Sequence, residues 1–252
     1  MTARPRKIIM FYHVAAINDW QKIFACQMAK IKRSGLYDEL SEINIGFLGI
    51  SGEAVFQGDP KIKVIYRSEH TEEGELPTLG ALWNKTKNDD FNVLYMHTKG
   101  VSRQPRLMFA PNIKQLYRLV RGYFIYNNII AWRNYMEHFN VFCWKDCCEL
   151  LKLFDAVGVE WLNAGTLFDG KPVLYGHFSG NFWWSKSEYI RTLQNVSDVD
   201  IGECDDVRMK AEYWLGSNYA IKAKSIHNTK LASLYLKNAE TACKTCGVRL
   251  KH

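Results

Sequence analysis

The sequence predicts a single-domain α/β protein, in which a mostly parallel sheet is flanked by helices. Short apolar runs rich in β-branched and aromatic residues alternate with segments of helical period along most of the chain. At 252 residues the chain is long enough to bury a substantial core. There are no internal repeats and no low-complexity segments. These three observations favour one sheet with its helices packed on both faces.

The first elements follow directly from local pattern. The run KIIMFYHV predicts an inner strand, and Asn18 or Asp19 in the following AAIND can cap the next helix. In that helix five apolar residues recur on one face: Trp20, Ile23, Phe24, Met28 and Ile31. Gly35 marks its C-terminal end. Two further strands, EINIGFLGI and KIKVIYRS, are separated by a polar turn at 58–60.

The middle of the chain is predominantly helical in period. Pro77 and Thr78 open a helix, and a strand follows over 91–96. Within 104–154 one helix face is predicted from five residues: Leu116, Leu119, Val120, Tyr123 and Phe124. A second face is predicted from five positions: Trp144, Cys147, Cys148, Leu151 and either Leu153 or Phe154. The run FDAVGVEWL then predicts a strand, and YGHFSGNFWWSKSEYIRTL a short strand, a glycine-centred turn and a helix.

The charge of the chain divides it into two parts. The segment 222–252 holds seven Lys or Arg and one acid, whereas 1–221 holds 26 bases and 25 acids. We therefore predict a domain over 1–221 and a basic C-terminal tail, helical or flexible, over 222–252. The nearly neutral domain argues against nucleic-acid binding. The tail is suited to an anionic membrane surface, and equally to being a solvated helix.

The seven cysteines indicate a reducing compartment. They are odd in number and scattered through predicted helices, unlike a disulfide framework. Cys243 and Cys246 have metal-ligand spacing, and His227 and His252 are the nearby residues that could complete a zinc site, so the signal is weak. The N-terminal segment lacks the pattern of a signal peptide, and no segment is apolar enough to span a membrane. We predict a cytoplasmic protein.

Polar residues follow the strand at 91–96, in the order His97, Thr98, Lys99, Gly100. Ligands of open α/β sheets bind at the carboxyl ends of the strands. A switchable imidazole, a hydroxyl and an ammonium that converge there are suited to a phosphate or diphosphate. The alternative is a hydrogen-bonded core histidine beside a solvated lysine.

Two later stretches carry further candidates. The stretch HFSGNFWW contains Gly180, Asn181, Phe182, Trp183 and Trp184; neighbouring strand residues face opposite ways, so we expect one tryptophan in the core and the other beside a sugar-binding cleft.

The stretch ECDDVRMKAEYWLG contains the candidate acids. Glu212 lies among aromatic residues, where a carboxylate loses hydration and gains the basicity of a general base. Asp206 is the second candidate, although Glu203, Asp205 and Asp206 fit a solvated helix start better.

The succession YMHTKG, WRNYM, GNFWWSKSEYI and AEYWLG resembles a group of glycosyltransferases of large DNA viruses and some bacteria. These are related to nucleotide-sugar-dependent enzymes of the Rossmann-related GT-A fold. The resemblance covers about 7–226, without the tail. It implies transfer of a sugar from a nucleoside diphosphate donor to an acceptor hydroxyl on a glycan, glycoprotein or glycolipid.

The resemblance also implies roles for individual residues. Typical GT-A enzymes hold a divalent metal with an Asp-x-Asp motif, whereas here His97 and Lys99 occupy the corresponding positions. Such a pair does not favour Mg²⁺ or Mn²⁺, so we expect Lys99 itself to neutralise the diphosphate. His227 is a weak candidate for a late metal ligand.

The remaining roles come from the strand ends and from one arginine. Tyr12, His13 and Val14 are expected near the nucleoside, and Gly180, Asn181, Phe182, Trp183 and Trp184 around the sugar and acceptor. Arg133 is expected either on phosphate or in a structural ion pair. A phosphotransferase is not supported, because the sequence has no GxxxxGK[ST] or GxGxxG motif. The remaining alternative is a non-catalytic carbohydrate- or polyanion-binding module.

Overall fold

Strands and helices alternate along the chain, as the sequence pattern predicts. The computed structural model describes residues 6–104, 113–168, 170–202, 206–229, 238, 239, 243 and 249–251. The strands are β1 Ile8–Ala15, β2 Leu40–Leu48, β3 Ile62–Ser68, β4 Asn92–His97, β5 Ala156–Val159, β6 Trp161–Leu162, β7 Leu167–Phe168, β8 Lys171–Pro172, β9 His177–Phe178, β10 Trp183–Lys186 and β11 Ala223–His227. The α-helices are α1 Trp20–Arg33, α2 Leu36–Glu39, α3 Leu76–Thr86, α4 Ile113–Glu137, α5 Trp144–Leu150, α6 Ser187–Arg191 and α7 Val207–Trp214.

A seven-stranded sheet organises the molecule in the order β3-β2-β1-β4-β10-β5-β11. Among these strands β10 is antiparallel to both of its neighbours, and the other pairs within the sheet are parallel. The chain passes from β1 to β2 on one side, and β4 lies against the other side of β1. The connections therefore diverge between β1 and β4, which is the switch point where ligands bind in open α/β sheets. The predicted α/β class with a mostly parallel sheet is confirmed.

Both faces of the sheet are covered by helices, and each face has its own apolar cluster. Met10, Tyr12 and Val14 of β1 pack under α1 and the second half of α4. Ile9 and Phe11 face the opposite way, toward α3 and α6. The alternation along one strand therefore serves two cores, because neither face of this strand meets solvent.

Local predictions for α1 and α3 agree with the structure. The five apolar residues predicted on one face of α1 are all buried. Gly35 follows the helix with a left-handed φ of 77°, as a C-terminal stop requires. Asp19 takes the N-cap position but makes no side-chain cap hydrogen bond. Pro77 lies in the first turn of α3, where its missing N–H costs nothing.

Three regions differ from expectation. The face predicted around Leu116 and Phe124 is helical, but most of it lies in solvent rather than in the core. A π-helical turn, His138–Phe142, links α4 to α5. Strand β11 pairs with β5, so the sheet continues beyond the domain boundary predicted at residue 221.

Candidate functional site

A polar cleft of about 560 Å³ opens at the carboxyl ends of β1 and β4. Its volume is in the range of small-molecule sites. His13 from β1 and Asp206 from the start of α7 line the cleft. Four candidate residues from the end of β4 line it with them: His97, Thr98, Lys99 and Gly100. The topology brings these residues to one place, because parallel strands present their carboxyl ends at the same edge.

Two histidines, His13 and His97, lie side by side at the carboxyl ends of β1 and β4, because they are paired in the register of these strands. The Nδ1 atom of His13 lies 3.0 Å from the Thr78 hydroxyl. The Nε2 atom of His97 donates to the Gly180 carbonyl at 3.1 Å. Burial lowers the pKa of His13 to about 4. Burial, together with the ammonium of Lys99, lowers the pKa of His97 to about 3. Both rings are therefore neutral near pH 7 and bring no charge to the cleft.

Glu75, which the sequence analysis missed, is the buried carboxylate of the cleft. Its Oε2 atom accepts hydrogen bonds from the Tyr95 hydroxyl at 2.7 Å and from Asn181 Nδ2 at 2.8 Å. Its Oε1 atom lies 3.9 Å from Nδ1 of His97. One carboxylate oxygen is thus fixed by two neutral donors, and the other faces an imidazole nitrogen. The signal was weak, because a single Glu before LPT is typical of a helix start.

The Thr98–Gly100 turn fixes the ammonium group of the cleft. The Thr98 hydroxyl accepts from the Ala15 backbone N–H at 3.1 Å, which ties the end of β4 to that of β1. Lys99 is buried, and its Nζ lies 4.6 Å from the centre of the Trp132 ring. Such a cation–π contact holds a charge that water no longer solvates. Gly100 has φ of 87°, and a Cβ there would lie 2.5 Å from Ile129 Cγ2, so the turn requires glycine.

Two roles were expected for Arg133, a phosphate contact or a structural ion pair, and its contacts are those of the structural role. Its Nη1 donates to the Lys99 carbonyl at 3.0 Å, and its Nε lies 3.7 Å from Glu137 Oε1. The guanidinium therefore holds the backbone of the turn from behind. The expectation of phosphate contact is corrected, because this buried charge already has its partners.

Tyr12 and Val14 lie in the core and not beside a nucleoside site. The Tyr12 hydroxyl donates to Gln27 of α1, and Val14 is fully buried. Of the three residues expected there, His13 lines the cleft. The reason is the period of two along β1, which turns Tyr12 and Val14 toward α1 and His13 toward α3.

The two adjacent tryptophans face opposite sides of the sheet, but both are buried. Trp183 stacks on Tyr95 with ring centroids 5.0 Å apart, and its Nε1 donates to Asn181 Oδ1 at 2.8 Å. Trp184 donates to the Asn140 carbonyl at 2.9 Å. The expectation that one of them borders a sugar-binding cleft is corrected, because helices cover both faces of the sheet.

Asn181 and its neighbours support the cleft from beneath. Asn181 is buried and has a left-handed φ of 57°, which an Asn tolerates better than most residues. The Phe182 and His97 rings are nearly perpendicular, with centroids 5.2 Å apart. Gly180 also has positive φ, and a Cβ there would lie 2.6 Å from Met136 Sδ. These residues position Glu75 and His97 and do not line the cleft themselves.

The two candidate bases on α7 occupy different environments. Asp206 lines the cleft, is exposed, and caps the helix by accepting from the Arg208 backbone N–H at 2.9 Å. Glu212 lies 4.0 Å from Arg208 Nε. Its negative charge partly offsets the lowering of pKa that burial causes at His97 and at His177. Glu212 thus acts on the imidazoles from beside the cleft. Glu203 and Asp205 lie outside the described residues.

His227 belongs to an aromatic group distant from the β4 turn in the sheet order. It stacks on Phe139 at 4.7 Å between ring centroids, and its Nδ1 lies 3.0 Å from the Tyr135 hydroxyl. Within the described part of the chain, no group of three or more His, Cys, Asp or Glu is arranged to hold a metal. Cys243 is buried, and Cys246 and His252 lie outside the described residues.

Two exposed arginines at the cleft were also missed. Arg103 follows the Gly100 turn, and Arg208 stands in the first turn of α7. With Lys99 they give the cleft three cations, against the carboxylates of Glu72, Glu75 and Asp206. No sequence signal marked them, because an isolated surface arginine is normally solvated.

The fold and the cleft define a class, namely an α/β protein with a charged, ligand-sized cleft at the switch point of its sheet. No protein-family model, curated protein or solved structure matches the chain. In the described part of the chain, no helix is both long enough and apolar enough to cross a bilayer.

Proposed function

We propose that the protein is a glycosyltransferase that moves a sugar from a nucleoside diphosphate sugar to an acceptor hydroxyl. The observation that carries the proposal is the position of Lys99, a buried cation held in the wall of a cleft at the switch point. A mostly parallel sheet with its ligand cleft at this edge agrees with the architecture that the resemblance to GT-A-fold enzymes implies.

The cations of the cleft suit a diphosphate. Lys99 lies on the β4 side, and Arg103 and Arg208 lie on exposed edges of the same cleft. A charge-assisted hydrogen bond to phosphate is worth roughly 1.5–3 kcal/mol. As the bond between sugar and diphosphate breaks, negative charge grows on the leaving oxygen, and Lys99 stabilises that charge.

Residues His97–Lys99 do not fit a hard divalent cation. His97 offers a nitrogen whose partner is a carbonyl, and the ammonium of Lys99 repels a metal ion. The proposed chemistry therefore runs without a step through a metal. The chain's own cations carry the charge stabilisation, and the low pKa of His97 keeps that ring neutral beside Lys99.

Glu75 is the best-placed general base for the acceptor hydroxyl. It is buried, it lines the cleft, and Tyr95 and Asn181 hold one of its oxygens. Of the bases expected from the sequence, Glu212 lies 4.0 Å from Arg208 Nε and outside the cleft lining, and Asp206 caps α7 by accepting from the Arg208 backbone N–H. We propose that Oε1 of Glu75 takes the hydroxyl proton while the acceptor oxygen forms its bond to the anomeric carbon.

A thermal-shift screen of UDP-, GDP- and dTDP-sugars, each with EDTA and with Mn²⁺, tests the proposal. A donor at 100 times its dissociation constant should add about 2.7 kcal/mol of stability. We expect one nucleotide family to stabilise the protein equally in EDTA. Lys99→Met should weaken that binding by roughly 10- to 150-fold, because the charge-assisted bond is lost while packing on Trp132 is kept.

Lys87→Met is the matched control, since Lys87 also lies over an indole ring, that of Trp83, but is exposed and outside the cleft. Stabilisation that appears only with Mn²⁺ would contradict the metal-free site. Equal donor affinity in the two variants would contradict the role of Lys99. Donor binding without release or transfer of sugar would favour a non-catalytic binding module instead.

A further inference from the structure

The first half of α4 presents a continuous apolar face to solvent. Six large apolar side chains on this face are exposed, with exposed fractions from 39% for Tyr123 to 82% for Ile113. They are Ile113, Leu116, Tyr117, Val120, Tyr123 and Phe124. Their spacing follows the helical repeat, so they share a stripe about 120° wide on the helix surface. Monomeric proteins rarely leave such a contiguous apolar stripe uncovered, and the face is therefore expected to have a partner.

Basic residues flank this stripe along one side. Lys114, Arg118 and Arg121 are exposed and recur at intervals of four and three residues. Each of these cations directly follows a stripe residue in sequence, namely Ile113, Tyr117 or Val120, and therefore lies roughly 100° around the helix from it. Residues 113–124 contain no Asp or Glu. This face of α4 is thus apolar and cationic.

We propose that this face of α4, over residues 113–124, docks on an anionic lipid bilayer, with the apolar stripe at the acyl boundary and the cations at the headgroups. Interfacial helices have this combination of an aromatic and aliphatic face with Lys and Arg beside it. Helix α4 is not apolar enough to cross a bilayer, so it lies in the interface plane.

Charge selects the lipid surface over the other possible occupants. A second copy of the chain also carries a net charge of +7. In an antiparallel pairing its own three cations would lie along the same edge as these, and like charges oppose such association. A polyanion such as RNA would satisfy the cations but would leave the apolar stripe in water. An anionic bilayer satisfies both parts of the face at once.

The docking face is held rigidly to the rest of the molecule. The second half of α4 is buried through Ile129, Trp132 and Tyr135. Ile129 lines the cleft, and Trp132 lies under the Lys99 ammonium. One continuous helix therefore joins the proposed membrane surface to the cleft wall, and the orientation of the bound helix sets that of the cleft.

Co-sedimentation of the full chain with vesicles tests the proposal. We expect binding to phosphatidylcholine mixed with phosphatidylglycerol, weaker binding to phosphatidylcholine alone, and a loss of affinity as salt is raised.

Arg118→Gln with Arg121→Gln should weaken binding about 30-fold. Leu116→Ser with Phe124→Ser should weaken it by at least about tenfold at any salt concentration. All four positions are exposed, so the fold should be retained, which circular dichroism can check.

Matched controls change equally exposed residues elsewhere. Lys22→Gln with Lys152→Gln removes two surface cations, and Ile50→Ser with Leu153→Ser removes two exposed apolar side chains. Both controls should bind as the unaltered chain does. Lys237→Gln with Lys244→Gln, in the basic tail, should weaken binding less than the α4 charge variant.

Three results would overturn the proposal. The first is no preference for anionic vesicles, and the second is a loss in the controls as large as in the α4 variants. The third is self-association without vesicles that Leu116→Ser with Phe124→Ser abolishes, because it would assign the face to a second copy. These outcomes are independent of nucleotide-sugar binding.

Discussion

At the scale of single residues, Asn181 connects the buried carboxylate of the cleft to the aromatic layer beneath it. Its amide donates to Glu75 Oε2, and its carbonyl oxygen accepts from the Trp183 indole at 2.8 Å. Each partner is buried and would lose a hydrogen bond if the amide were removed. An unsatisfied buried polar group costs about 1–3 kcal/mol, and more when it is charged.

Asn181→Ala should therefore lower the free energy of unfolding by about 2–4 kcal/mol. Urea denaturation measures the change. Asn163→Ala is the matched control, because Asn163 also accepts from an indole, that of Trp161, but is exposed. It should cost no more than about 0.5 kcal/mol. If the two variants lost the same free energy of unfolding, the burial of Asn181 would not explain the contribution of its hydrogen bonds to stability.

At the scale of elements, a buried polar network clamps α1 to α4. Glu137 accepts from Lys30 Nζ at 2.6 Å and from Gln27 Nε2 at 2.7 Å, and Arg133 lies beside it. The carboxylate is 1% exposed, so two cations depend on one negative charge in a dry environment. Removing one partner of such a buried group leaves charge uncompensated.

Glu137→Gln should lower the free energy of unfolding by about 3–5 kcal/mol, because Lys30 and Arg133 would keep their charges without an anion. Chemical denaturation monitored by tryptophan fluorescence measures it. Glu149→Gln removes a carboxylate that bonds to Lys152 on the surface, and should cost less than about 1 kcal/mol. A loss at Glu137 as small as that at Glu149 would contradict the clamp.

At the scale of the whole molecule, the buried imidazoles make stability depend on pH. Unfolded histidines bind protons as pH falls through 6.5, whereas the folded-state pKa is about 4 for His13 and about 3 for His97. Between those values the unfolded chain binds more protons than the folded one. The stabilisation is therefore complete above pH 6.5 and is lost as pH falls toward 4 for His13 and toward 3 for His97.

For His13 the slope should reach about 1.4 kcal/mol per pH unit between pH 6.5 and 4. His13→Asn keeps a donor near the Thr78 hydroxyl and should flatten the curve of unfolding free energy against pH by that amount. His70→Asn is the control, because His70 lies in solvent. A curve for His13→Asn that runs parallel to that of the unaltered chain would contradict the prediction.

How far the fold could be predicted depends on the range of each interaction. Strands β1 to β4 and helices α1 and α3 follow from hydrophobic period and turn residues, which act over a few positions. Strand β11 was missed, because its pairing with β5 joins residues that are remote in sequence. By contrast, His97, Thr98, Lys99 and Gly100 could be placed at a cleft, because the end of one strand is a local feature of the sequence.

The sequence by itself determined the α/β class, the alternation of elements and the polar turn that follows β4. Only the tertiary structure decided that both tryptophans at 183 and 184 are buried, that Arg133 supports the turn from behind, and that Glu75 lies in the cleft. The bond from Asn181 to Glu75 spans 106 positions. Such contacts depend on which strands become neighbours and which helices cover them, and a local pattern does not encode either.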